Sequence, residues 1–229
     1  MKSTWVLASS NAGKLREFEQ ALGPVLAERN IALVNQSSLG IEAAEEPHDC
    51  FEQNALAKAR HASRLSGHPA LADDSGICVP ILGGAPGVRS ARFFSDAVAR
   101  ADPSEADDIH KIQSANVSMD EANLRWLLRC VWHALGRQPA VTHQPMTEAG
   151  FQTVIAFVRS ADDPDPLLAA GHWSGLLLSA PRGSQGFGYD PIFLDPVLSM
   201  TAAEMSLEQK RQVGHRGRAL DALLTRLAQ

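Results

Sequence analysis

The sequence predicts an α/β fold in which helices flank a mixed sheet. Apolar runs of strand length recur along the 229 residues, and segments with helical apolar spacing separate several of them. The later strand-like runs follow one another without an intervening helix, so the sheet is expected to be mixed rather than purely parallel. Since 45% of the residues are hydrophobic, we expect residues 1–229 to form a single domain around one core.

The individual elements follow from these runs. Strands are predicted, in chain order, at TWVLAS, IALVNQ, PALADDSG, FQTVIAFVRS and LLAAGHWSGLLLS. The first helix has an apolar face formed by Leu15, Phe18 and Leu22. The second has one formed by Phe51, Ala55, Ala59 and Ala62. A last helix begins near SLEQK, where Ser206 and Gln209 resemble a capping box, and continues to Leu227.

A polar segment interrupts this pattern after the third strand. Residues 95–119 are charged and weakly periodic, and we expect an exposed insertion that is part loop and part short helix. The helix DEANLRWLLRCVWHAL follows, and a second loop, GRQPAVTHQPMTEAG, leads into the strand at Phe151. No linker with a core on each side is visible, which favours one domain.

Composition and charge exclude several classes of protein. A net charge of -5 is unfavourable for binding DNA or RNA along an extended surface, although a compact phosphate site needs only local positive potential. No apolar run approaches the ~18 to 20 residues that cross a bilayer, and the run at Trp5–Ala8 is too short for a signal peptide. Three cysteines without CxxC spacing indicate neither a disulfide framework nor a thiolate zinc site. We therefore expect a cytoplasmic protein with no nucleic-acid or membrane partner.

The first chemical signal lies where a strand turns into a helix, in SSNAGK. Backbone N–H groups at a helix N-terminus carry partial positive charge and bind phosphate oxygens. Side-chain donors are available at Ser9, Ser10 and Asn11. Gly13, after Ala12, allows close approach to the backbone, and Lys14 supplies a full positive charge. The alternative is an ordinary turn capped by Asn or Ser.

The second signal is a pair of carboxylates at the end of a strand, in ADDSG. Asp73 and Asp74 lie at the edge where ligands of open α/β sheets collect. Mg²⁺ commonly takes one or two carboxylates together with substrate phosphates. An Asx turn at a strand end is the plain alternative.

The third signal is an acidic segment before the second helix, in EAAEEPHDCFEQNALAKA. One of its glutamates is a candidate second metal ligand, and Lys58 on the helix is a candidate phosphate partner. The alternatives are a solvated acidic helix N-terminus and a surface lysine.

Two motifs in the last third are candidates for contact with a nucleobase. APRGSQGFGYDPIFL presents aromatic residues, including the only tyrosine, Tyr189, beside a carboxylate, and aromatic faces stack on bases for ~1 to 3 kcal/mol. EQKRQVGHRGRAL brings three donors near one another: Lys210, His215 and Arg216. The alternatives are a Gly-rich hairpin with buried aromatics and a basic helix end.

Taken together, six blocks resemble the non-standard purine nucleoside triphosphate pyrophosphatase family, the inosine/xanthosine triphosphatases. The blocks are SSNAGKLREF, FEQNALAKARHA, ADDSGICV, LGGAPGVRSARF, GFGYDPIF and TAAEMSLEQKRQVGHRGRAL. The resemblance implies hydrolysis of ITP, dITP or XTP to the monophosphate and pyrophosphate with Mg²⁺, in a homodimer. It also implies a long mixed central sheet whose two lobes enclose the nucleotide.

The resemblance also implies a role for each motif. The triphosphate-binding segment of the family corresponds to Ser9 through Lys14, and its phosphate-binding lysines correspond to Lys58 and Lys210. Metal ligands fall on Glu45 and Asp74, although the adjacent Glu46 is an open alternative to Glu45. Asp74 is the expected proton acceptor, with Asp73 beside it as the alternative. The remaining substrate contacts fall on Ser75, Phe187, Gly188, Tyr189, Asp190, His215 and Arg216.

The chain departs from the family pattern at Ser9-Ser10, at Gly214 and at the insertion of residues 95–119, and two rival functions are open. Ser9-Ser10 stand where Thr-Gly is commoner, and Gly214 stands where serine is usual, which removes one hydroxyl. One rival is a non-catalytic purine nucleotide-binding or sensing protein, and the presence of every catalytic-type residue argues against it. The other is an enzyme of the same class acting on modified pyrimidine triphosphates, which a substrate panel would separate.

Overall fold

The structure, a computed structural model, describes residues 3–137 and 143–228. The strands are β1 Ser3–Leu7, β2 Ile31–Asn35, β3 Ala70–Cys78, β4 Pro145–Val158, β5 Leu167–Leu178, β6 Phe193–Asp195 and β7 Met200–Thr201. The α-helices are α1 Ala12–Glu28, α2 Phe51–Ser66, α3 Phe93–Arg100, α4 Ala106–Ser114, α5 Met119–Ala134, α6 Leu207–Val213 and α7 His215–Leu227. Among these residues, no helix is long and apolar enough to cross a bilayer.

The strands form one mixed sheet with the order β2-β1-β3-β4-β5-β6-β7. β1 runs parallel to β2 and to β3, with Val6 opposite Ala70 in the second pair. β6 runs antiparallel to β5 and to β7. The predicted α/β class with a mixed sheet is therefore confirmed.

The chain divides into two compact units. The first contains the described residues up to Ser75, Gln152–Trp173 and the chain from Leu207 onward. The second contains Gly76–Phe151, of which residues 138–142 lie outside the described ranges, and Ser174–Ser206.

In the first unit, successive strand residues face opposite sides of the sheet because a β-strand alternates its side chains. On one side, Leu7 and Leu71 share a buried cluster with Phe18 of α1 and Leu220 of α7. On the other side, strand residues share a cluster with α2, formed by Val6, Ala8, Ala70, Ala72, Ala55, Ala59 and Ala62. Helices α1 and α7 therefore cover one face, and α2 covers the other.

In the second unit, the predicted insertion at residues 95–119 is part loop and part short helix, and most of its residues are exposed, but one apolar face is buried. It contains the end of α3 and the whole of α4. Its apolar side chains join Trp126 of α5 in a cluster that also contains Phe94, Ala97, Ile109 and Ile112. Arg129 Nε donates to Asp108 at 3.0 Å, which ties α5 to α4. The structure differs from the expected exposed segment only at this apolar face.

Two further boundaries differ from the prediction. The last helix is interrupted at Gly214, whose extended backbone (φ -73°, ψ 157°) separates α6 from α7. β4 begins at Pro145, so the final part of the predicted loop at 136–150 is strand. The middle of that loop, residues 138–142, lies outside the described residues.

Candidate active site

The two adjacent aspartates of β3 point to opposite faces of the sheet. Asp73 shares the side of Leu71, which α1 and α7 cover, and Asp74 shares the side of Ala72, which α2 covers. Both side chains are buried, with relative exposures of 1% and 4%. Each carboxylate therefore meets a different set of partners.

Asp73 anchors two cations on the α1/α7 side. Its Oδ2 lies 3.0 Å from Lys14 Nζ and accepts from Arg216 Nε at 3.2 Å and Nη2 at 3.0 Å. Burial alone would raise the pKa of Asp73, but Lys14 and Arg216 outweigh burial and hold this pKa far below its ordinary value. Burial also lowers the pKa of Lys14, against the opposing effect of Asp73. Asp73 is thus a fixed anion and a weak proton acceptor.

Glu17, which the sequence analysis missed, completes this cluster. Its carboxylate lies 3.0 Å from Lys210 Nζ and accepts from Arg216 Nη1. Burial would raise the pKa of Glu17, yet Arg216 and Lys210 lower it below the ordinary value. Its position in the sequence could have identified Glu17 as a site residue, because it follows Lys14 by three residues and precedes Phe18 on the buried part of α1.

Ser75 and His215 lie beside the same guanidinium. Ser75 Oγ accepts from Arg216 Nη2 at 2.8 Å. The His215 ring stacks on Trp173 with 6.5 Å between centroids. Burial, together with the positive charge of Arg216, lowers the pKa of His215 well below its ordinary value, so the ring is neutral at pH 7.

The SSNAGK segment forms the turn from β1 into α1. Asn11 is the N-cap, and its Oδ1 accepts from the Lys14 N–H at 3.0 Å. Ser9 is buried and its Oγ accepts from the Asn11 N–H at 3.2 Å, whereas Ser10 is exposed. The ordinary turn capped by Asn, which was the alternative to a phosphate site, is therefore present. The helix N-terminus also lies beside the cation of Lys14.

Asp74 and α2 form the second cluster. Lys58 Nζ lies 3.0 Å from Asp74 Oδ1 and 2.8 Å from Glu46 Oε1. Thr153 Oγ1 of β4 donates to the Asp74 backbone oxygen at 3.1 Å. Burial raises the pKa of Asp74 above its ordinary value, Lys58 opposes that effect, and Glu46 adds to it. Asp74 is therefore the better proton acceptor of the two aspartates.

Asn54, also missed by the sequence analysis, fixes the other oxygen of Asp74. Its Nδ2 donates to Asp74 Oδ2 at 3.1 Å and to the His48 backbone oxygen at 3.0 Å. Its Oδ1 accepts from the His48 N–H at 3.1 Å. Asn54 precedes Lys58 by four residues and therefore shares its helix face, a spacing that could have identified it.

The structure brings Glu46, rather than Glu45, to this cluster. Glu45 is exposed, while Glu46 is half-buried against Lys58. Among the described residues, no three His, Cys, Asp or Glu side chains converge to hold a metal ion by themselves. Glu46 and Asp74 nevertheless suit a divalent cation that also binds phosphates, because they already share one cationic group and Mg²⁺ commonly uses one or two carboxylates.

The GFGYD segment belongs to the second unit. Tyr189 is buried and its hydroxyl donates to the Ser90 backbone oxygen at 2.8 Å, while burial raises its pKa. Asp190 is also buried, and its Oδ2 accepts from the Phe187 N–H at 2.9 Å. Phe187 and Gly188 are half-buried, so the Phe187 ring is the more accessible aromatic group of this segment.

Comparisons with known proteins agree with the resemblance seen in the sequence. The model of the Ham1 family matches residues 5–226. A protein of Burkholderia pseudomallei named dITP/XTP pyrophosphatase is 44% identical over 228 residues, covering 100% of this chain and 95% of that protein. The solved structure of a HAM1 protein from Coxiella burnetii has a TM-score of 0.75 and 35% identity, covering 99% and 98% of the two chains. A Mycobacterium abscessus structure described as nucleoside-triphosphatase / dITP/XTP pyrophosphatase has a TM-score of 0.61 and 33% identity, covering 96% and 98%.

Proposed function

We propose, because the chain belongs to the Ham1 family, that it hydrolyses non-standard purine nucleoside triphosphates to the monophosphate and pyrophosphate. The observation that carries the proposal is the cluster of Asp74, Lys58 and Glu46, in which a buried carboxylate has a raised pKa beside a cation. A raised carboxylate pKa approaches the operating pH and makes a better general base. The names of the relatives, dITP/XTP pyrophosphatase, support the substrate class.

In this proposal Asp74 accepts the proton of the attacking water. General-base catalysis of this kind contributes typically ~10² to 10⁴-fold. Asn54 and Lys58 bind opposite oxygens of the carboxylate and so fix its orientation. Attack at the α-phosphorus, with pyrophosphate as the leaving group, follows from the family resemblance.

The cations hold the triphosphate. Lys14 and the capped N-terminus of α1 provide a full charge and backbone N–H donors for phosphate oxygens. Lys58 is a second phosphate partner. Bound Mg²⁺ would neutralise further phosphate charge as the transition state forms, and Glu46 with Asp74 would hold it. We propose Glu46 rather than Glu45 because only Glu46 contacts Lys58 in the described structure.

Base selection rests on hydrogen-bond donors. Inosine and xanthine present a 6-keto acceptor where adenine presents a 6-amino donor, so a pocket of donors leaves groups unpaired when adenine enters. His215 and Arg216 are the proposed donors. Arg216 also binds Asp73, Glu17 and Ser75, so Arg216→Ala is expected to narrow the ITP/ATP preference and to disturb that cluster as well. The ratio of the two rates, rather than either rate alone, measures the first effect.

A substrate panel tests the proposal. The pure protein is incubated with Mg²⁺ and ITP, XTP, GTP or ATP, and pyrophosphate and orthophosphate are measured separately. Pyrophosphate release that favours ITP and XTP and stops with EDTA is the expected result. Release of single phosphates would refute the assignment of the bond cleaved. Tight ITP binding without hydrolysis would instead identify a nucleotide sensor, and hydrolysis confined to modified pyrimidine triphosphates would identify the other rival enzyme.

The assembly and location of the protein remain proposals from the same resemblance. We propose a homodimer, which sedimentation of the pure protein measures directly. We also propose a cytoplasmic location. The base-contact roles of Phe187, Gly188, Tyr189 and Asp190 are proposed on the same grounds.

A further inference from the structure

We propose that the Lys58 ammonium is a built-in competitor of the metal ion, occupying the cation position between Glu46 and Asp74 until it is displaced. This inference rests on the proposed function, because it concerns the metal ligands assigned there. It adds a role for Lys58 besides phosphate binding. It predicts that the nucleotide-free protein binds divalent ions weakly for a reason that one side chain controls.

The geometry of one nitrogen atom carries the inference. Lys58 Nζ lies 2.8 Å from Glu46 Oε1 and 3.0 Å from Asp74 Oδ1, so both oxygens are in contact with the same cationic group. A divalent ion such as Mg²⁺ binds carboxylate oxygens at about 2.1 Å. The ammonium and a metal ion are both cations, and they cannot both lie between these two oxygens.

The surroundings hold Lys58 in this position. Lys58 is 9% exposed and is fixed on α2, and its neighbour Asn54 fixes the opposite oxygen of Asp74. Asn54 also bonds the backbone of His48, which follows Glu46 by two residues. The two carboxylates and the ammonium are therefore parts of one organised cluster rather than an exposed surface pair.

A comparison with Lys14 separates local competition from general electrostatics. Lys14 Nζ lies 3.0 Å from Asp73 Oδ2, on the opposite face of the sheet. Removing either lysine removes one positive charge from the same region, but only Lys58 stands between the proposed metal ligands. If net charge alone controlled metal affinity, the two removals would have similar effects.

The test measures Mn²⁺ binding to the nucleotide-free protein, from the electron paramagnetic resonance signal of the free ion. The variants are Lys58→Met, Lys58→Arg and Lys14→Met, which retain long side chains. Lys58→Met is expected to bind Mn²⁺ about tenfold or more tightly than the wild type. Lys58→Arg, which keeps the charge, and Lys14→Met are expected to remain within about threefold of the wild type. An unchanged affinity in Lys58→Met, or an equal gain in Lys14→Met, would overturn the inference.

A second measurement follows the wild type itself, and the variants serve only to assign its resonances. The nitrogen resonances of the lysine ammonium groups are followed during a Mg²⁺ titration, with Lys58 and Lys14 assigned from the arginine and methionine variants or by exclusion. The Lys58 resonance is expected to shift as the ion binds, and the Lys14 resonance is expected to shift less. An unmoved Lys58 resonance at saturating Mg²⁺ would refute displacement.

Failure of this inference and failure of the proposed function are distinguishable. A protein that releases pyrophosphate from ITP but whose Mn²⁺ affinity is insensitive to Lys58 refutes the competition alone. Tighter Mn²⁺ binding in Lys58→Met, together with no nucleotide hydrolysis by the wild type, supports the competition and refutes the enzyme assignment.

Discussion

Asp73→Asn and Asp74→Asn, two substitutions one residue apart, are expected to affect different properties of the protein. The first should lower its stability, and the second should lower its turnover of ITP. Asp73 Oδ2 contacts three nitrogen atoms of two cations, the buried Arg216 and the half-buried Lys14, and its pKa is strongly lowered by them. Removing one partner of a buried ion pair costs about 3 to 5 kcal/mol, because the opposite charge remains buried without compensation. That loss is a large part of the about 5 to 15 kcal/mol that stabilises a typical domain. Asp73→Asn is therefore expected to lower the free energy of unfolding by several kcal/mol.

Asp74→Asn is expected to preserve folding and to remove turnover. The pKa of Asp74 is raised, so the folded protein tolerates a neutral group at this position. Loss of the general base reduces turnover by about 10² to 10⁴-fold. Urea unfolding measures stability, and pyrophosphate release from ITP measures turnover. An Asp74→Asn protein of near-normal rate would refute the base assignment, and an Asp73→Asn protein as stable as the wild type would refute the anchoring role.

Three further predictions concern other buried groups. Glu17→Gln removes the negative charge that is paired with the buried cations Lys210 and Arg216. It is expected to lower the free energy of unfolding, measured in urea, by about 3 kcal/mol. The folded pKa of His215 is lowered, so below pH ~6.5 the unfolded chain takes up a proton that the folded protein refuses, and stability falls as pH decreases. His215→Asn should reduce the loss of stability between pH 7.5 and 5.5 by about 1 kcal/mol, and a loss as large as that of the wild type would contradict this reasoning. At Gly76 an added Cβ would lie 2.1 Å from the backbone oxygen of Gly87, so Gly76→Ala is expected to lower the melting temperature.

The fold could be predicted where local spacing decides the structure. The apolar runs placed five strands and the first two helices correctly, because burial of a strand or helix face imposes a period on the sequence. The split at Gly214 was missed because the leucine spacing continues across it, although glycine lowers helix propensity. The packing of residues 95–119 was missed because few apolar residues stand among many charged ones.

The candidate site could be predicted only in part. Lys14, Lys58 and the aspartates were visible because their motifs are compact and their residue types suit phosphate chemistry. Glu17 was not, because its partner Arg216 is 199 residues away and no local pattern connects them. Asn54 was missed because an asparagine within a helix does not by itself indicate a functional site. Its role depends on contacts with His48 and Asp74 that only the fold creates.

The alternation of a single strand explains how two neighbouring carboxylates acquire different chemistry. Had Asp73 and Asp74 faced the same side, their like charges would have coupled, and both pKa values would have depended on the pair. On opposite faces, each pKa is set by its own partners. Two cations keep Asp73 ionised, while burial and Glu46 raise the pKa of Asp74 against the lowering effect of the Lys58 ammonium. β3 can thus present a permanent anion that organises Lys14 and Arg216, and a proton acceptor beside it. Moving either carboxylate by one residue would place it on the wrong face and exchange these environments.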